Sequence, residues 1–251
     1  MPRYFDVWSE PWVVHGFFGR QGGVSVGPYA SLNLGYFVGD LRAAVDENWA
    51  RVRKVAGEQF AIARANQVHR ADVHTVDERN ATDARTCDGM VTASRGVLLC
   101  ILTADCVPIH VMDRDARIVG ALHGGWRGIL AGIVDAGVAA MERLGARRER
   151  IDVVTGPSIA RCCFEVDVEL ADRFATEIPA SRLHRYAGRA GKAMLDLRGI
   201  IRDRFISAGV APESIVIAGE CTKCAADRYF SRRAAGGGTT GLQLSFIGMA
   251  P

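Results

Sequence analysis

The sequence has almost no lysine: Lys54, Lys192 and Lys223 stand alone, so 28 of the 31 basic residues are arginines. These arginines are scattered at a net charge of only +3, which leaves no basic stripe for nucleic acid. A long apolar run is also missing. The longest, from Gly96 to Ala104, is stopped by Asp105 and falls well short of the ~20 residues that span a bilayer. The first residues, Met1 to Asp6, lack the apolar stretch of an export signal, so a cytoplasmic protein without membrane contact is expected. No repeat, low-complexity tract or linker interrupts the chain, and Gly236-Gly237-Gly238 is its one glycine run. A single domain over residues 1–251 is the simplest organisation. Seven cysteines in a chain read as intracellular argue for thiols, some of them ligands, over a disulfide framework.

The periodicities predict a mixed fold. Val13–Phe18 reads as a strand, and Asp40 as the N-cap of a helix ending near Ala56, with Leu41, Val45, Asn48/Trp49, Val52 and Val55 on one face. Short strands are expected at Ala63–Val68 and Ala71–Val76. Val97–Thr103 and Val107–Met112 are expected as a buried strand pair or one bent strand. A turn at Asp113–Ala116 leads to a strand over Arg117–Leu122. Helices are predicted at Ile129–Leu144, Val168–Ile178 and Met194–Ala208, and strands at Ile151–Val154, Ser214–Ala218 and Leu242–Ile247. Strands outnumber helices without regular alternation, which indicates an α/β or α+β fold of mixed sheets.

Three residues stand where strands stop or bend: His69, Cys106 and His123, separated by 37 and 17 residues. Loop-edge positions on a rigid scaffold are where site residues collect. Thiolate and imidazole suit zinc or copper, and catalytic zinc takes three protein ligands and leaves one position open. Spacing alone is a weak signal and favours a buried apolar Cys and hydrogen-bonded structural histidines. Gly124-Gly125-Trp126-Arg127-Gly128 beside His123 reads either as an anion-holding turn into a helix, with Arg127 as a donor fork, or as a tight turn. Cys221-Thr222-Lys223-Cys224 is half a zinc site with no second C-x-x-C to complete it, so a structural or incidental role is expected.

Taken together, Asn66-Gln67-Val68-His69, Thr103-Ala104-Asp105-Cys106-Val107-Pro108 and His123-Gly124-Gly125-Trp126-Arg127-Gly128 resemble the polyphenol-oxidase (laccase-domain) family. That family is treated as purine nucleoside phosphorylases with adenosine deaminase activity, and is also called the peptidoglycan editing factor family. The resemblance extends through His15-Gly16-Phe17 to Arg20, Gly22-Gly23-Val24-Ser25, Ser31-Leu32-Asn33-Leu34-Gly35, Gly156-Pro157-Ser158-Ile159, Cys163-Phe164-Glu165-Val166, Cys221-Thr222 and Tyr229-Phe230-Ser231-Arg232-Arg233. The chain departs from the pattern at Gly19, Arg70 and Leu242, where the family has Thr, Gly and Arg.

The resemblance implies an αββα sandwich of packed mixed sheets and a zinc site, with copper the other option, held by His69, Cys106 and His123. It implies a purine nucleoside and phosphate as partners of a monomer or homodimer. Arg20, Asn33 and Arg127 are then the expected substrate or phosphate residues. Asp105, next to Cys106, is the expected general acid/base, and Glu165 the substitute if Asp105 points to the opposite sheet face. Three other readings are a metal-free Cys106–His123 hydrolase or amidase acting on cell-wall fragments, a mononuclear copper phenol oxidase, and a binding module without catalysis.

Overall fold

A strand apolar at nearly every position needs cover on both faces, and this chain has two such strands in succession. In the computed structural model, which describes residues 4–251, each obtains that cover at the interior of its own sheet. Along the chain the strands are β1 Tyr4–Phe5, β2 Val13–Phe18, β3 Ala61–Ala63, β4 Val73–Thr75, β5 Gly89–Thr92, β6 Val97–Thr103, β7 Val107–Asp113, β8 Ile118–Gly124, β9 Ile151–Thr155, β10 Glu165–Asp167, β11 Arg185–Ala187, β12 Lys192–Leu195, β13 Ile215–Ile217 and β14 Gln243–Met249. The helices are α1 Arg42–Ala56, α2 Trp126–Leu130, α3 Ile133–Arg143, α4 Val168–Glu177 and α5 Leu197–Ser207. One sheet runs β1-β2-β14-β6-β3, a second β13-β9-β7-β8-β5-β4, and a small third β10-β12-β11.

Side-chain alternation then stacks the layers. On β6, Val97, Leu99 and Ile101 point into the space between the two large sheets, where they meet Met90, Met112, Val119, Ala121 and Val154 of the second sheet. Leu98 and Cys100 face the other way and pack with Val45, Trp49 and Val52 of α1. On β7, Val107, Ile109 and Val111 face Ile133 and Val138 of α3 and Ile201 and Phe205 of α5. The result is the helix–sheet–sheet–helix sandwich that the family resemblance implied. Among the described residues no helix is long and apolar enough to cross a membrane.

Several boundaries differ from expectation. β6 and β7 are not hydrogen-bonded to each other: β6 lies between β14 and β3, and β7 between β8 and β9. Residues 104–106 cross from one sheet to the other, with Asp105 at a φ of 92°. Asp40 does not cap α1. Leu41 holds the cap position without a side-chain bond, because the Asp40 carboxylate takes Ser25 Oγ at 2.6 Å and Asn33 Nδ2 at 2.9 Å. The helix predicted over 129–144 is divided by Gly132, which sits at a φ of 90° that glycine adopts without penalty. The segment predicted as helix from Met194 begins as β12. The helix α5 starts only after Asp196, whose side chain accepts from the Gly199 amide as an N-cap should. The strand expected at Ala63–Val68 is displaced to β3, which shares only Ala63 with it, the one expected at Ala71–Val76 shrinks to β4, and β1, β5, β10 and β11 were not anticipated at all. The loop between β3 and β4 is released from pairing because its amides have another partner.

Candidate metal centre

That partner is Asp88, which immediately precedes β5 and is fully buried. Its Oδ2 accepts the amides of Val68 at 3.1 Å and Arg70 at 2.8 Å, and its Oδ1 accepts the amide of His69 at 2.9 Å. Three consecutive N–H groups closing on one carboxylate bend the chain, leaving His69 at a φ of 61°, a region that non-glycine residues seldom enter. The same Oδ1 lies 2.8 Å from Nδ1 of His123, and the Asp88 carbonyl accepts the His123 amide at 2.7 Å. One carboxylate therefore aims two histidines. With Nδ1–H donated to Asp88, His123 presents Nε2 as its free donor, the orienting arrangement usual for metal-bound imidazole.

Cys106 arrives from the crossing between sheets, one residue after Asp105. Its Sγ lies 3.8 Å from Nε2 of His69, and the rings of His69 and His123 meet edge to face at 4.7 Å. A donor atom from each of His69, Cys106 and His123 lies within 4.8 Å of the other two. A tetrahedral zinc with Zn–S near 2.3 Å and Zn–N near 2.0–2.1 Å separates sulfur from nitrogen by about 3.6 Å, so the donor set fits such an ion. Space has been kept for it. A Cβ on Gly125 would stand 2.7 Å from the His69 ring and 3.3 Å from the Cys106 sulfur.

Electrostatics prepares the same donors. Burial by itself pushes the Cys106 thiol up, but His123 and His69 outweigh it and bring the thiol down to about 6. Burial by itself lowers His123, but the Cys106 sulfur and Asp88 raise it to about 9. Asp88 resists its own desolvation through His123 and the amides it accepts, and stays below the usual carboxylate range. The centre thus pairs a thiolate with an imidazolium beside the Asp88 carboxylate, and a soft cation bound at the thiolate would take the place of the His123 Nε2 proton.

The remaining expected site residues are distributed unevenly. Asp105 does not reach this centre as a free acid or base. Its Oδ1 accepts Thr222 Oγ1 at 2.6 Å and its Oδ2 the Arg233 amide at 2.7 Å, so it latches the C-terminal loop to the sheet crossing. Glu165 is held by the guanidinium of Arg189. Asn33 is fully buried, and its amide is saturated by Gly35, Asp40 and Leu242. Contact between Asn33 and a phosphate is therefore replaced by a role in holding loops together. Arg20 donates Nε to the Ala30 carbonyl and Nη1 to the Ala226 carbonyl. Arg127 is exposed and stacks on Trp126 at 4.2 Å. The other histidines go elsewhere, with His15 and His110 between the sheets and His184 on Asp203.

Two features escaped the sequence reading. Asp88 was one, signalled only by a carboxylate two residues before Met90-Val91-Thr92. The other corrects the expectation for Cys221 and Cys224, which do have a second pair. Cys162 and Cys163 come to them, with Sγ–Sγ distances to Cys224 of 3.7 and 3.4 Å.

Fold and donors define a four-layer α/β sandwich with two imidazoles and one thiolate placed to hold a metal ion at a crossing between its sheets. The chain belongs to the family described as multi-copper polyphenol oxidoreductase laccase, which it matches over residues 14–250. It is 36% identical to the purine nucleoside phosphorylase YlmD of Geobacillus stearothermophilus, over 99% of this chain and 98% of that protein. It is 40% identical to the purine nucleoside phosphorylase of Deinococcus radiodurans, over 94% of this chain and 89% of that protein. The crystal structure of YlmD superposes with a TM-score of 0.88 at 35% identity, covering 96% of this chain and 93% of that one. The crystal structure of Neisseria meningitidis protein NMB0706 gives a TM-score of 0.89 at 31% identity, covering 100% and 99%.

Proposed function

We propose that this chain works as one unit over residues 1–251, a cytoplasmic zinc-dependent purine nucleoside phosphorylase. It cleaves adenosine, inosine and methylthioadenosine with phosphate, and deaminates adenosine as a side activity. The observation that carries the reading is the Asp88-oriented set of His69, Cys106 and His123. It occurs in a chain similar over nearly its whole length to proteins named purine nucleoside phosphorylase. Bound by these three residues, zinc supplies Lewis acidity and brings the pKa of water from 15.7 toward ~7.

The chain's own groups do the rest. Asp88 keeps His123 in the tautomer that leaves Nε2 toward the ligand. Arg127, which forms no ion pair among the described residues, holds phosphate together with the Gly124-Gly125 turn, and Arg20 contributes its remaining Nη2. Phosphate placed against the ribose C1′ stabilises the positive charge that develops there as the glycosidic bond breaks. Asp105 is a positioning residue that holds the Cys106 segment in place.

Purified protein incubated with adenosine, with and without phosphate, tests this by product separation. Phosphate-dependent adenine with ribose 1-phosphate is expected, alongside a lesser, phosphate-independent yield of inosine. Neither product from zinc-replete protein would sink the reading. Cys106→Ala is expected to lose both this zinc and turnover, and full zinc retention in it would remove Cys106 from the ligand set. The lowered Cys106 thiol beside the raised His123 favours one second reading, the metal-free Cys–His hydrolase. That enzyme would carry no zinc and would be inactivated by alkylation of Cys106.

A further inference from the structure

The four sulfurs at the other end of the Asp105 latch belong to a separate place. Ser158 pairs with Cys221 as a parallel bridge, and the Thr222 amide donates to the Ser158 carbonyl at 3.1 Å. Arg198 clamps the two segments by donating to Ser158 Oγ and to the carbonyls of Ser158, Gly219 and Glu220. A further bond from Arg233 to the Cys163 carbonyl at 2.9 Å holds the turn that carries Cys162 and Cys163. The sulfurs converge because this framework brings them together, without any bond between them.

We propose that Cys162, Cys163, Cys221 and Cys224 bind a second metal ion, a zinc(II) in a closed structural site of four thiolates. An Sγ atom from each of the four lies within 4.8 Å of the other three. Tetrahedral zinc at about 2.3 Å from each sulfur sets the sulfurs about 3.8 Å apart, against 3.7 and 3.4 Å for the pairs to Cys224. Cys224 approaches Cys162 and Cys163 alike, so no single disulfide partner is selected, and a shared cation satisfies all four.

The charges point the same way. Burial raises the Cys221 thiol, but the amides of Ala160, Cys224 and Lys223 outweigh it and bring the thiol down to about 7. The Ala160 amide is 3.4 Å from that sulfur. Burial and the adjacent sulfurs raise Cys162 and Cys163 instead. Four thiolates this close need a cation among them, and the first thiolate is already prepared. The site shares no ligand with the three-ligand centre and does not rest on the proposed reaction. Through Thr222 it anchors the carboxylate of Asp105, one residue from Cys106.

Zinc per chain is to be measured in four proteins purified identically: the parent, Cys106→Ala, Cys162→Ser/Cys224→Ser, and all three changes combined. The parent is expected to hold two equivalents, the single and the double variant one each, and the combination none. Equal zinc in the parent and in Cys162→Ser/Cys224→Ser overturns the proposal, whatever Cys106→Ala does. The parent also serves alone, should the double variant fail to fold. In native zinc-replete protein Cys162 and Cys224, though exposed, should resist iodoacetamide and become reactive once a chelator is added. Prompt alkylation before chelation, or a disulfide among the four in freshly purified protein, overturns it equally.

Discussion

At the scale of residues the centre depends on a group that binds nothing itself. The Asp88 carboxylate collects three backbone amides and one imidazole N–H in a space with no water access, and hydrogen bonds to a buried charge are among the stronger ones. Asp88→Asn keeps the shape, but in either orientation its NH₂ faces donors. We expect zinc affinity at the His69 site to fall roughly 10–100-fold and stability to drop by about 3 kcal/mol or more. Competition with a chromophoric chelator and a denaturant midpoint read the two effects. Unchanged affinity would mean that His123 is oriented by something else.

At the scale of elements, function collects where chain direction changes: the β6–β7 crossing, the loop before β4, and the β8–α2 turn. Gly125 shows why the last is glycine. Its backbone, at φ −74° and ψ 152°, suits any residue, so no conformational need calls for glycine there. The need is room, since a methyl would press on the His69 ring and approach the Cys106 sulfur. Gly125→Ala should therefore fold with a circular dichroism spectrum like the parent's, and lose zinc from this site by direct measurement. Full zinc occupancy in Gly125→Ala would show that the gap between His69 and Cys106 is not needed.

At the scale of the whole molecule the two large sheets meet over a core that contains imidazoles. His110 is fully buried, stacks on Phe17 across the gap at 4.5 Å, and has no partner for either ring nitrogen among the described residues. Burial, and then His15 beside it, hold His110 well below 6.5. His15 is lowered by burial too, with Asp6 opposing, and its Nε2 accepts the Trp8 amide at 2.9 Å. A histidine with a depressed folded pKa is neutral in the fold and takes its proton only on unfolding. Stability is thus full above about pH 6.5 and falls below it, by about 1.4 kcal/mol per pH unit for each such group until its folded pKa is reached. Urea midpoints between pH 7 and 5 should fall less steeply for His110→Leu than for the parent, and equal slopes would contradict a neutral His110.

The amino-acid sequence by itself indicated mixed sheets and the candidate donors, while the order of layers came from the family resemblance. Strands apolar on both faces had to be central, the amphipathic run from Val45 to Val52 had to lie on a sheet, and His69, Cys106 and His123 were visible as soft ligands at strand ends. Local pattern could do this because burial and donor chemistry are properties of single residues and their immediate spacing. Which groups come together was decided only by the tertiary structure. Asp88 reaches His69 and His123 because β5 pairs with β8, and Cys162 and Cys163 reach Cys221 and Cys224 because Arg198 clamps two distant loops. Asp105, expected as an acid or base beside Cys106, and Asn33, expected to meet substrate, were taken up by Thr222 and Arg233 and by Gly35, Asp40 and Leu242. A side chain's partners depend on how sheets pair and cross, and hydrophobic periodicity carries no record of that.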